Sequence, residues 1–153
     1  MKNQELFNKT ISILVKAYIE DTLIHSNCHA CAVGNLVAAN MGYSYKANPV
    51  LPFERDWPVI WGHEENYSTL STWYGVLRNR SESERGEIEI NSTGYSKKEL
   101  SLIEAAFESV DDCETKEKMM FDGLMAVCDS LMTIHEANES EIKEAKELFI
   151  QCY

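Results

Sequence analysis

Ser96-Lys97-Lys98-Glu99-Leu100-Ser101-Leu102-Ile103-Glu104-Ala105-Ala106-Phe107-Glu108 is the stretch that decides the fold. Ser96 and Glu99 are spaced as a capping box, in which hydroxyl and carboxylate each satisfy a backbone N–H that the first turn of a helix leaves without a partner. Behind the box, Leu100, Ile103, Ala106, Phe107 and Val110 recur every three or four residues, which makes one apolar helix face. The same grammar repeats downstream. Thr115 is placed to start a helix through Met119, Met120, Phe121, Leu124, Val127, Cys128, Leu131 and Ile134. Asn138-Glu139-Ser140-Glu141 repeats the capping box before Ile142, Ala145, Leu148 and Phe149.

Working outward, residues 4–24 carry Phe7, Ile11, Leu14, Val15, Tyr18 and Thr22 at helical spacing, with Lys9, Lys16 and Glu20 off that stripe. Ser26 or Asn27 can cap a second helix through Ala39, rich in small residues, with Gly42 placed to end it in the left-handed conformation. Residues 43–66 hold all three prolines together with Tyr43, Tyr45, Phe53, Trp57 and Trp61, and read as a long structured loop. Residues 68–79 return to helix, and 81–86 form a polar turn. Glu87-Ile88-Glu89-Ile90 alternates polar and apolar, so it reads as a short strand, with 43–47 or 58–61 as its partner. These features predict a mainly α protein, one compact helical domain over 1–153 with about five helices and at most a small two-stranded β element.

Net charge is −11 and falls entirely on one half: residues 1–80 hold seven acids and seven bases, residues 81–153 hold 18 acids and seven bases. Direct nucleic-acid binding is disfavoured, because such binding gains affinity by neutralising phosphates with Lys and Arg. An acidic helical half instead suits a basic protein partner and speeds encounter with it; the plainer reading is a solvated face that keeps the chain soluble. No run of 18 apolar residues is present, and the start of the chain lacks a signal-peptide pattern, so a cytoplasmic location off the membrane is expected. Five cysteines at irregular spacing are not a disulfide framework.

Chemistry concentrates in one place, His25, Cys28, His29 and Cys31. Thiolate and imidazole are zinc ligands, and Cys28 and Cys31 have the spacing of half a zinc knuckle, which His63 or His135 would have to complete. The plain alternative is that Cys31 is a packed core thiol on a helix of small residues. A redox pair would need a βαβ context that a helical chain does not offer. Asn27–Ala32 resembles the run around the catalytic cysteine of papain-like proteases over six residues, without that family's Gly and aromatic neighbours. That resemblance implies Cys31 as nucleophile with His63 or His135 as base. A second candidate site is the aromatic loop 53–67, where Trp57, Trp61, His63 and Tyr67 would line a small-molecule pocket and Arg55 would take an anion; its tryptophans serve equally to plug the core. Asp111-Asp112-Cys113-Glu114 is not a calcium loop, since Lys116 stands where the turn needs glycine. No cofactor motif is present, and no cofactor is expected.

The blocks Cys31–Ala38, Thr93–Ser96 with Ile103–Glu108, and Phe121–Val127 resemble a group of small uncharacterised bacterial and phage proteins. The resemblance implies one helical domain and brings no activity with it. The expectation for function is therefore a non-enzymatic binding protein with a basic protein partner, with a small-molecule binder or a Cys31-centred thiol or zinc site as alternatives.

Overall fold

The computed structural model describes residues 1–25, 30–42, 84–110 and 115–153. The chain is mainly α: these residues form α1 (Gln4–Ile19), α2 (Ala32–Met41), α3 (Glu84–Ser92), α4 (Lys97–Glu108), α5 (Lys116–His135) and α6 (Glu139–Ile150), with no strand among them. The expected helix over 68–79, the aromatic loop and the candidate partner strands lie outside the described residues.

The starts of α4, α5 and α6 follow the capping chemistry read from the sequence. Ser96 with Glu99 opens α4 and Asn138 with Glu141 opens α6, both as complete capping boxes. The Thr115 hydroxyl accepts the Lys118 N–H at the start of α5. Gly42 ends α2 at φ 73°, as its position predicts.

Three expectations need correction. Helix α1 stops at Ile19 and not at residue 24. Asp21 turns left-handed at φ 57°, and the Thr22 N–H reaches back to the Ala17 carbonyl at 2.9 Å while Asp21 N–H bonds Tyr18 O. This is a Schellman closure made with Asp, one of the few residues other than Gly that tolerates the conformation. Second, α2 starts later than a Ser26 or Asn27 cap would give. The Ile24 N–H donates to Ala30 O at 2.8 Å, closing a loop ahead of the helix, and Cys31 becomes the N-cap. Third, Glu87–Ile90 is helix, not strand. Glu89 and Ile90 point inward, at 0% and 1% exposure, while Ile88 is half exposed. Alternation over four residues does not distinguish a strand from a helix that buries two adjacent positions, and tertiary packing settles it.

The core runs through Leu14, Leu36, Phe107, Leu124, Leu131 and Phe149. Every residue from Ala32 to Ala38 is buried, as expected of a helix walled in by neighbours; α2 packs on α1, α3 and α4. The most extensive helix pair is α4 with α5. Gly123 permits that approach, because a Cβ there would lie 2.9 Å from the Phe107 carbonyl oxygen and 3.0 Å from its ring. No described helix is long and apolar enough to cross a membrane.

Candidate functional site

Two polar knots tie the fold together, and both were invisible as patterns. The first holds the α1–α2 junction. Asn35, buried on α2, points its amide nitrogen at the carbonyls of Thr22, Ala30 and Cys31 at 2.9–3.0 Å, and its oxygen accepts from Thr22 Oγ1. One amide thus satisfies the irregular backbone that precedes α2, where buried carbonyls would otherwise cost free energy.

The second knot centres on His135, the last residue of α5 and only 2% exposed. Its Nδ1 lies 2.7 Å from Lys2 O, and its Nε2 lies 2.8 Å from the Tyr95 hydroxyl. That hydroxyl meets Thr10 Oγ1 at 2.7 Å, and Thr10 donates to Leu6 O. The Lys2 N–H returns a bond to the His135 carbonyl. Phe7 and Tyr95 stand edge-on to the imidazole. Burial pushes the Tyr95 phenol up to about 12, with the Thr10 hydrogen bond opposing and the Glu99 charge adding to the rise. The phenol therefore stays protonated and serves as a structural link.

Three of the sequence-predicted site residues, His25, Cys31 and His135, lie within the described residues. His25 stacks on Phe107 with ring centroids 4.5 Å apart, its Nδ1 lies 3.3 Å from a Glu108 carboxylate oxygen, and its Nε2 lies 3.3 Å from Met119 O. Both ring nitrogens face oxygens of the chain, so His25 would have to leave these contacts to reach a metal. Cys31 is 1% exposed, and its Sγ accepts the Gly34 N–H at 3.4 Å. A thiol in that position is a helix cap packed in the core. His135, the other candidate to complete a zinc site or serve as base, has both nitrogens committed to the second knot. Among the described residues no group of three or more His, Cys, Asp and Glu gathers as a metal would need. Cys28, His29, Arg55, Trp57, Trp61, His63 and Tyr67 lie outside the described residues.

What remains is a surface. The α5–α6 hairpin carries eight carboxylates against four lysines. Lys118 pairs with Asp122 at 2.8 Å and Lys146 with Asp129 at 2.7 Å. Glu136, Glu139, Glu144 and Glu147 are exposed. Not all of the acidic half faces water, since Glu89 and Glu104 are buried at 0% and 3% exposure. Beside the hairpin, an open groove of about 690 Å³ runs between α1 and α6. Phe7, Ile11, Val15, Ala145 and Leu148 line it, with Glu20, Glu141 and Glu144 among the polar residues around them. Sequence reading missed the groove because α1 and α6 are far apart in the chain. The sequence places Leu148 on the α6 stripe, yet it is 45% exposed, and Ile19, just off the α1 stripe, is 65% exposed; these two apolar residues mark the groove. Comparison with known protein families, curated proteins and solved structures finds no match for this chain.

Proposed function

We propose that this is a non-enzymatic binding protein whose acidic C-terminal helices engage a basic protein partner. The observation that carries the reading is the carboxylate excess of the α5–α6 hairpin, eight acids against four lysines with Glu136, Glu139, Glu144 and Glu147 exposed. Charges so arranged raise the local concentration of a basic surface and steer its approach. This reading is preferred to thiol or zinc chemistry because Cys31 is buried at 1% exposure and both His25 ring nitrogens already face oxygens of the chain.

The test is retention of partners on the immobilised full chain at about 50 mM and about 500 mM salt, where screening lengths differ severalfold. A variant carrying Glu136→Gln, Glu139→Gln and Glu147→Gln is run in parallel. Basic partners are expected to be held at low salt, released at high salt, and held less by the variant. Equal retention in all arms ends the reading.

A further inference from the structure

The α1–α6 groove deepens that reading, on which it rests, by naming the kind of partner segment. We propose that the groove receives the apolar stripe of a basic amphipathic helix. Phe7, Ile11, Val15 and Ala145 give it an apolar strip among polar residues such as Gln4, Asn8 and Ser12, and the lining includes exposed apolar side chains: Ile19 is 65% exposed and Leu148 45%. A trough flanked by two helices is the shape that accepts anchors spaced i, i+3 or i+4, i+7 from a third. The α1 wall has 16 residues, about 24 Å at helical rise, room for roughly four turns of a partner.

Charge selects the occupant. Glu20, Glu141 and Glu144 line the groove against Lys16. Glu141 accepts the Asn138 N–H in the capping box. Lysine or arginine flanking an apolar stripe would face these carboxylates. A second copy of this chain brings a further charge of −11 and is repelled. An acidic helix meets the same penalty.

The probe is a fluorescent synthetic helix of about 18 residues, five turns, with leucine at i, i+4, i+7 and i+11 and lysine on its flanks. Fluorescence anisotropy with the full chain at about 50 mM salt reads its binding. Two control peptides accompany it, one with the leucines scrambled off the stripe and one with glutamate replacing lysine. Both controls are expected to bind at least about tenfold more weakly, as is a protein variant carrying Ile19→Lys with Leu148→Lys. Ile19→Ser with Leu148→Ser repeats the measurement without added charge, and thermal unfolding of each variant confirms that it folds. Striped and scrambled peptides binding alike, or groove variants binding like the parent, overturns the groove assignment, as does no binding by any peptide. If instead both lysine peptides bind alike and the Glu136, Glu139 and Glu147 substitutions weaken both, the groove inference falls while the acidic-surface reading stands.

Discussion

Helix α1 has two very different sides. Toward α5 it buries a chain of polar groups, Thr10, Tyr95 and His135, whose hydrogen bonds run from Leu6 O to Lys2 O. Toward α6 it leaves apolar side chains, Ile19 above all, open along a groove. Simple partition would put the polar groups outside and the apolar ones inside. The polar side is tolerated because its members satisfy one another, which removes the desolvation cost of burial. The apolar side has no such internal reason, and an exposed apolar strip beside carboxylates is what a recognition surface needs. One side of the helix holds the fold together, and the other is the side we assign to binding.

The comparison breaks first at His135. Replacing it with alanine leaves the Tyr95 hydroxyl without its imidazole partner and Lys2 O without its side-chain donor, and opens a cavity against Phe7. The expected loss is about 2–4 kcal/mol in urea unfolding. A loss below about 1 kcal/mol would show that the knot is incidental and that the contrast between the two sides is overstated.

Alkaline pH probes the buried interior by another route, with Tyr95 as its reporter on the polar side. The Tyr95 phenol rises from 10.0 to about 12 on folding, and the Cys128 thiol rises from 9.0 to about 12, both through burial first. The Tyr18 phenol rises as well, burial again leading. Each group keeps its proton in the folded chain at a pH where the unfolded chain releases it. Their contribution is therefore fully present below the unfolded values and is lost as pH climbs from about 9 to about 12. For Tyr95 the two-unit rise corresponds to about 2–3 kcal/mol across pH 10–12. Stability measured by denaturant at stepped pH should fall over this window, and the slope above pH 10 should be shallower in Tyr95→Phe than in the parent. An unchanged slope would place the phenol in water.

Between the two sides in expected effect lies the α4–α5 contact. Gly123→Ala puts a methyl group 2.9 Å from the Phe107 carbonyl oxygen, which is backbone and cannot swing away. Overpacking of that kind costs about 1–3 kcal/mol. The shift should appear as a lower urea midpoint with an unchanged m-value. A neutral result would mean that α4 sits further from α5 than the Gly123 contact requires.

The helices were legible where local chemistry alone sets them. Ser96–Glu99, Asn138–Glu141 and Thr115 each cap the helix that they announce, and the stripes behind them bury Leu100, Ile103, Phe107, Met120, Leu124, Val127, Cys128, Leu131, Ile142, Ala145 and Phe149 but not Leu148. Legibility fails where the decision is made by distant residues. Glu89 points inward because α3 packs on α2, and no alternation rule contains that fact. The start of α2 is set by the Asn35 amide and the Ile24–Ala30 bond, so the nearer capping residues lose to a tertiary arrangement. His25 and Cys31 looked like ligands because composition reports residue type and not partner. The groove needed two helices more than a hundred residues apart, so its lining could be read only once α1 and α6 were side by side.

The smallest expected effect is the one that sharpens the contrast most. Ile19→Ser with Leu148→Ser changes two apolar side chains that are 65% and 45% exposed. A surface change away from caps, packed contacts and buried polar groups moves stability by about 0.5 kcal/mol or less. The double variant should therefore unfold at nearly the parent's urea concentration, while losing affinity for the striped basic helix. That pairing separates the two sides of α1 cleanly: substitutions toward α5 reduce stability, and substitutions toward α6 reduce binding and leave stability in place. A loss above about 2 kcal/mol would place these side chains in the range of buried core residues. The groove would then be part of the folded interior, with α1 buried on both sides and no face left for a partner.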